Sequence, residues 1–227
     1  EEEGRVVLGA RTLSEMVRKL PEGDVSVCTD DKLVTQIRCG LSESSLMGID
    51  AGEYPDLPQV QGKATLKLSF DALRNLVKRT VFAVAVTDAR PILTGVLLTA
   101  QGDGITAVAV DGFRLGLARE KLLGGPVEPV SVVVPGKSMS EIGKIIRETD
   151  EELTLDLSDK HLRMARGNVT FVCRLLEGDF INYESVIPTE TTTETVVDTA
   201  LLIDSIERAS VVINEKMRSP IILRFEE

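Results

Sequence analysis

Lys137-Ser138-Met139-Ser140-Glu141-Ile142, followed by Ile145-Ile146, is a second version of a stretch near the start of the chain, Arg11-Thr12-Leu13-Ser14-Glu15-Met16, followed by Lys19-Leu20. The offset is 126 residues, and at the same offset Ala51-Gly52-Glu53-Tyr54 meets Glu177-Gly178-Asp179-Phe180. Gly40 and Gly167, in β-rich stretches between those anchors, stand 127 apart, which puts a small insertion between the copies. A second repeat aligns Phe70-Asp71-Ala72-Leu73-Arg74-Asn75-Leu76-Val77-Lys78-Arg79 with Thr199-Ala200-Leu201-Leu202-Ile203-Asp204-Ser205-Ile206-Glu207-Arg208, at an offset of 129. Self-similarity at a fixed long period marks a repeated structural unit. Residues 64–188 then make one complete unit. Residues 1–58 read as the second half of a preceding unit, and residues 195–227 as the opening of a following one. The expectation is a piece of a longer, three-unit protein.

The junctions agree with that division. Pro55-Asp56-Leu57-Pro58 and Gln61-Gly62-Lys63 punctuate the first, and the aperiodic run Pro188-Thr189-Glu190-Thr191-Thr192-Thr193-Glu194 marks the second. Within the units, Leu13, Met16, Val17 and Leu20 recur at helical spacing, as do Phe70, Leu73, Val77, Val81 and Met139, Ile142, Ile146. Thr12-x-x-Glu15 and Ser138-x-x-Glu141 match a capping box at equivalent repeat positions. Strands are expected at Val25 to Cys28, Leu33 to Cys39, Leu93 to Thr99, Ile105 to Val110, Val130 to Val134, Leu153 to Leu157 and Val169 to Leu176. Asp103-Gly104 lies between two of these and reads as a hairpin turn. Two helices and many strands per unit predict an α+β fold: repeated units with two helices backed by antiparallel β-sheets.

The chain has 227 residues, 43% of them hydrophobic, but only 4% aromatic and no Trp, so the core must come from Val, Ile, Leu and Ala. Cys28, Cys39 and Cys173 lie far apart and suggest reduced thiols in a cytoplasmic protein. No apolar run approaches the roughly 18 residues that a membrane span needs, and Glu1 to Glu3 do not open a secretory signal. The net charge of −10 argues against a nucleic-acid partner until its distribution is considered. Arg11, Arg18 and Lys19 face one acid, Glu15, on the helix near 9–20. Arg74, Lys78 and Arg79 face only Asp71 near 69–84. Lys137, Lys144 and Arg147 face Glu141 and Glu148 near 136–148. The fourth helix, near 198–213, breaks the pattern, since Arg208 is opposed by Asp198, Asp204 and Glu207. Each basic face could be an ordinary solvated surface. Three in an acidic chain, brought by a repeat to one surface, would instead attract phosphates without reading sequence. No base-reading motif or interleaved aromatics accompany them.

Ala89-Arg90-Pro91-Ile92-Leu93-Thr94-Gly95-Val96-Leu97-Leu98 resembles the signature of bacterial DNA sliding clamps, the DNA polymerase III beta subunit family. Ala109-Val110-Asp111-Gly112-Phe113-Arg114-Leu115 resembles its T-D-G-H-R-L stretch. Val132-Val133-Val134-Pro135-Gly136-Lys137 matches too, and Glu177-Gly178-Asp179-Phe180-Ile181-Asn182-Tyr183-Glu184-Ser185-Val186-Ile187-Pro188 is similar to an EGxFPDYxxVIP pattern. The resemblance covers essentially the whole chain. It implies the DNA-clamp fold, with residues 1–58 as the C-terminal half of a first clamp domain, 64–188 as a complete second and 195–227 as the N-terminal part of a third. It also implies a non-catalytic processivity factor. Two three-domain protomers close head to tail as a homodimer ring and encircle duplex DNA without specific contacts. The DNA-facing helices would present Arg11, Arg18, Lys19, Arg74, Lys78, Arg79, Lys137, Lys144 and Arg147.

The family docks short peptides, from the DNA polymerase III alpha subunit, the clamp loader and repair proteins, in a hydrophobic cleft between its second and third domains. The matching positions are Leu93, Val110, Gly112, Phe113, Arg114, Leu115, Ile181 and Val186. Phe113 stands for the usual His and Ile181 for the usual Pro. The plainer reading of these residues is core packing. No cofactor or metal is implied.

Other signals carry less. His161 has no partner at metal-ligand spacing, no serine has a base to complete a triad, and no calcium-loop spacing surrounds Asp103. Asn168-Val169-Thr170 is a glycosylation pattern without secretory context, and Glu148-Thr149-Asp150-Glu151-Glu152 reads as a solvated turn. The competing function, a metal-dependent small-molecule enzyme on an α+β scaffold, lacks a phosphate loop, a ligand cluster and a nucleophile motif.

Overall fold

Strict alternation in Leu153-Thr154-Leu155-Asp156-Leu157 sends three leucines to one face of a strand and two polar residues to the other, and all three leucines are buried. The computed structural model describes residues 3–60, 62–87, 90–147, 152–213 and 221–224. Glu1, Glu2, Gln61, Ala89 and the acidic run from Glu148 to Glu151 lie outside the described residues. In chain order the elements are β1 (Val6–Val7), α1 (Ala10–Val17), β2 (Val25–Thr29), β3 (Val34–Cys39), β4 (Ser42–Met47), β5 (Ile49–Asp50), β6 (Ala64–Leu68), α2 (Phe70–Thr80), β7 (Gly95–Gly102), β8 (Gly104–Val110), β9 (Leu115–Lys121), β10 (Val127–Pro135), α3 (Gly136–Ile145), β11 (Leu153–Leu157), β12 (His161–Arg166), β13 (Val169–Arg174) and α4 (Thr199–Ser210). Short 3-10 turns occur at Val81–Ala83, Pro91–Thr94 and Tyr183–Val186, among others. Glu1–Phe180 form one compact unit and Ile181–Glu227 another.

The fold is α+β, as expected. Two four-stranded antiparallel sheets, in the orders β10-β7-β8-β9 and β13-β12-β11-β6, share one hydrophobic core with α2 and α3. Leu66 and Leu68 of β6, Leu73 and Leu76 of α2, Met139 and Ile142 of α3, and Leu153, Leu155 and Leu157 of β11 are its centre. Burying a side chain of this size contributes roughly 1.5–3 kcal/mol, so this cluster is the main source of stability. α2 and α3 pack against each other, and α2 also rests on β9. There Gly116 permits the approach: a Cβ at this position would stand 2.6 Å from the Arg79 carbonyl oxygen. A third sheet, β2-β3-β4, repeats the pairing of β11-β12-β13, and β1 pairs with β5.

Several expectations shift. The strand expected from Leu93 starts at Gly95, because Pro91–Thr94 turn as a 3-10 helix first. On α2 the buried stripe is Phe70, Ala72, Leu73, Leu76 and Thr80, with Val77 and Val81 only half-buried. Neither expected capping box forms: Thr12 and Ser138 lie inside their helices, whose N-caps are Gly9 and Pro135, without side-chain cap bonds. Pro135 is the last residue of β10, so strand passes directly into helix. Among the described α-helices the side-chain caps are Ser69, which accepts from Ala72 N–H, and Asp198, which accepts from Leu201 N–H. The β7–β8 hairpin turns on Gly102-Asp103, one residue earlier than expected, with Gln101 opposite Gly104.

Candidate functional site

Many of the residues singled out in the sequence fall on two surfaces that α2 borders. Along the contact of α2 with α3 runs a groove of about 500 Å3, lined by Arg74, Lys78 and Lys144 among Val77, Val81, Phe82, Ser140 and Gly143. The Arg74 guanidinium lies over the Phe70 ring, 5.5 Å from its centroid, which favours one direction for the cation. Lys78 and Arg79 occupy the last turn of α2, where the unpaired helix carbonyls favour positive charge. Lys144 pairs with Glu141 at 2.8 Å. Lys137 stands exposed in the first turn of α3, and Arg147 is exposed just beyond its end.

Arg11, Arg18 and Lys19 belong to α1 and its C-terminal end, and Arg11 pairs with Glu15 at 3.0 Å. Arg11 and Lys137 stand 126 residues apart, as do Arg18 and Lys144, so α1 and α3 carry cations at the same repeat positions. Exposed pairs such as Arg11–Glu15 contribute about 1 kcal/mol at most, so a phosphate can displace the carboxylate.

The second surface centres on the β8–β9 turn. Val110 and Leu115 pair across the strands and close the turn Asp111-Gly112-Phe113-Arg114. Gly112 takes φ +91, a region that side chains disfavour. Asp111 Oδ1 accepts from the Phe113 N–H at 3.0 Å and the Arg114 N–H at 3.1 Å, while its Oδ2 accepts from Arg114 Nε at 2.9 Å. These bonds hold the Asp111 carboxyl below its ordinary value. The Phe113 N–H acts most strongly, and the Arg114 N–H and guanidinium add to it against partial burial. The Arg114 guanidinium also lies 5.8 Å from the centroid of the Phe82 ring. Phe113 is fully exposed.

Leu93 and Val110 are buried, but apart from the main core, as are Leu97, Val108 and Val133. Leu97 pairs with both Val108 and Val133, so the sheet face turned away from the helices is apolar here. Leu115 is half-buried and lines a further groove with Asn75, Lys78, Arg79, Phe82, Gly116 and Leu117. The structure thus gathers Arg114 and Leu115 beside the end of α2. Ile181, half-buried, and Val186, exposed in the turn Tyr183–Val186, belong to the second unit.

Sequence reasoning missed Phe82 and Asp111 as members of this surface. Asp111 had a signal, an Asp two residues before the N–H it accepts from, with a Gly between. Phe82 had none, because its relation to Arg114 is set by packing of α2 on β9. Among the described residues no group of three or more His, Cys, Asp or Glu is placed to hold a metal ion, and no helix is long and apolar enough to cross a membrane.

Two family models match stretches of the chain. Residues 67–182 match the model of the DNA polymerase III beta subunit, central domain, and residues 1–58 that of its N-terminal domain. The beta sliding clamp of Bacillus subtilis is 37% identical over 95% of this chain and 57% of its own length. That of Halalkalibacterium halodurans is 34% identical over 99% of this chain and 60% of its own length. The crystal structure of the DNA polymerase sliding clamp from Bacillus subtilis superposes with a TM-score of 0.85, at 37% identity, over 95% of this chain and 57% of that one. The chain therefore spans somewhat over half the length of the relatives it matches.

Proposed function

We propose, from the premise that this chain belongs to the DNA polymerase III beta subunit family, that it is part of a sliding clamp, a non-catalytic processivity factor. The whole protein would encircle duplex DNA as a head-to-tail homodimer ring and tether the replicative polymerase, clamp loader and repair proteins through short peptides. In this reading residues 1–58 close a first domain, 64–188 form a second, and 195–227 open a third.

The observation that carries the DNA part is the groove between α2 and α3, where Arg74, Lys78 and Lys144 gather in a chain of net charge −10. Cations set around an otherwise apolar groove hold a phosphate backbone by charge and read no bases. Arg11, Arg18, Lys19, Arg79, Lys137 and Arg147 complete the proposed DNA-facing set. The peptide site is assigned to Leu93, Val110, Gly112, Phe113, Arg114 and Leu115, with Ile181 and Val186 as further candidates on the second unit. There an apolar Leu or Phe anchor would be desolvated against Leu93 and Leu115.

The test titrates a labelled clamp-binding pentapeptide with apolar anchors against the full-length protein and its Leu115→Asp variant. Burying an unpaired carboxylate is expected to weaken binding about tenfold or more, each decade being ~1.4 kcal/mol. Equal affinities would place the pocket elsewhere.

A further inference from the structure

The groove beside the β8–β9 turn is built differently from the one between α2 and α3. Phe82, Leu115 and Leu117 give it apolar walls, and its volume is about 480 Å3. Asn75, Lys78 and Arg79 stand at i, i+3 and i+4 on α2, so one helix face presents all three to it. Gly116 lets β9 run against the Arg79 carbonyl, which brings the end of α2 beside Leu115 and Leu117. Lys78 borders both grooves, whereas Arg79 lines this one and not the other. Charge alone groups Arg79 with the DNA-facing cations, and its place in the fold sets it apart from them.

The cations around this groove differ in what already holds them. Arg114 donates to Asp111 Oδ2 and lies over the Phe82 ring, so its charge is engaged. Lys78 and Arg79 have no carboxylate partner among the described residues, and the one acid of α2, Asp71, stands in its first turn, at the far end of the helix. A carboxylate seated in the groove would meet both cations and an amide N–H of the half-buried Asn75. Charge-assisted bonds of this kind are the stronger ones, and apolar walls keep away part of the water and salt that screen them.

Leu115 lines this groove and belongs to the assigned peptide site as well. A peptide whose apolar anchor reaches Leu115 therefore has its neighbouring residues at the mouth of the groove. We propose, on the basis of the peptide site assigned above, that the groove takes an acidic residue flanking that anchor, held by Arg79 and Lys78, and that these two side chains select among partners. A nucleic-acid phosphate suits the same cations, but it has no apolar anchor to set against Leu115. The chain as a whole carries −10, so an acidic flank is repelled by the average surface of this protein. A preference for acid at this one place is therefore a reversal of sign, which is how charge complementarity confers specificity.

The test extends a labelled pentapeptide with apolar anchors, at either end, by three Glu or by three Gln residues and titrates it against the full-length protein at low salt. From one end the Glu extension is expected to bind about threefold to tenfold more tightly than the Gln extension, the effect of two largely exposed ion pairs. The difference should shrink as salt rises. Arg79→Gln should remove most of it, and Arg79→Glu should reverse it, so that a Lys extension is preferred. Lys78→Gln should reduce it by less, because Lys78 is shared with the groove between α2 and α3. Leu115→Asp separates the peptide site from the acidic subsite. If the plain pentapeptide is indifferent to Leu115→Asp, the peptide site and the acidic subsite fall together. If it is weakened by Leu115→Asp, but Glu extensions bind no more tightly than Gln at either end, the acidic subsite alone is overturned. A Glu preference that survives Arg79→Glu overturns it too. So does duplex DNA that displaces the Glu-extended peptide and leaves the Gln-extended one bound, which would mark the groove as a phosphate site.

Discussion

The sheets β2-β3-β4 and β11-β12-β13 pair in the same order and almost the same register, yet one is sealed and the other is not. Their strands differ little in β propensity: Val25 to Thr29 is, if anything, a better strand by composition than Leu153 to Leu157. What differs is the neighbour. β11 lies between β12 and β6 under α2 and α3, so its leucines lose all their water, whereas β2, among the described residues, has a partner on one side only. Strand identity is thus local, while stability depends on the layer that covers it.

The sharpest way to break this comparison is to truncate equivalent residues. Leu155→Ala removes three buried carbons from the centre of the core and should cost about 2–5 kcal/mol. Val27→Ala, at the equivalent register position, should cost about 0.5 kcal/mol or less in dilute solution. Urea unfolding midpoints of the two variants decide it. A cost for Val27→Ala comparable with that of Leu155→Ala would mean that the β2 face is already covered.

The helix starts give a second, smaller contrast. Ser69→Ala removes an observed cap bond and should destabilise by about 1 kcal/mol. Thr12→Ala removes a hydroxyl that caps nothing, in a residue already inside α1, and replaces it with a better helix former. Its expected effect on the thermal midpoint is zero or slightly stabilising. A loss equal to that of Ser69→Ala would restore Thr12 as the cap.

The repeat, the helix stripes and the strands with regular alternation were legible in the sequence, because each is imposed by a period of one element. Leu153–Leu157 has the expected bounds. Other elements were not read. Ser42–Met47 contains no β-branched residue and becomes β4 through its hairpin with β3. His161–Arg166 carries Leu162 and Met164 inward between basic residues, a pattern in which alternation outweighs composition. The Thr12 and Ser138 boxes misled because a cap depends on where the chain enters the helix, and at Pro135 a strand leads straight in. For the candidate site, Val110, Gly112 and Leu115 were reached only through the family resemblance, and the turn that Val110 and Leu115 close was not read. The stack of Arg114 on Phe82 was not legible either, since it joins segments that meet only when α2 packs on β9.

The smallest effect expected concerns that turn, which separates it from the rest of the surface by its pH response. The Asp111 carboxyl titrates below its ordinary value because it accepts from the Phe113 N–H first, then from the Arg114 N–H and guanidinium. A group whose folded pKa is depressed lends stability that is complete above the unfolded value of about 3.9 and is lost as pH falls through the lower, folded pKa. The turn should therefore be indifferent to pH across the neutral range and loosen only in acid. Carboxyl-carbon NMR on selectively labelled protein should show the Asp111 midpoint below 3.9. Arg114→Ala should raise that midpoint only part of the way, since the Phe113 N–H still donates. A midpoint at the ordinary Asp value in the unmodified protein would mean that Asp111 does not hold the turn in solution. The full exposure of Phe113 would then reflect an open loop rather than a fixed wall of the site.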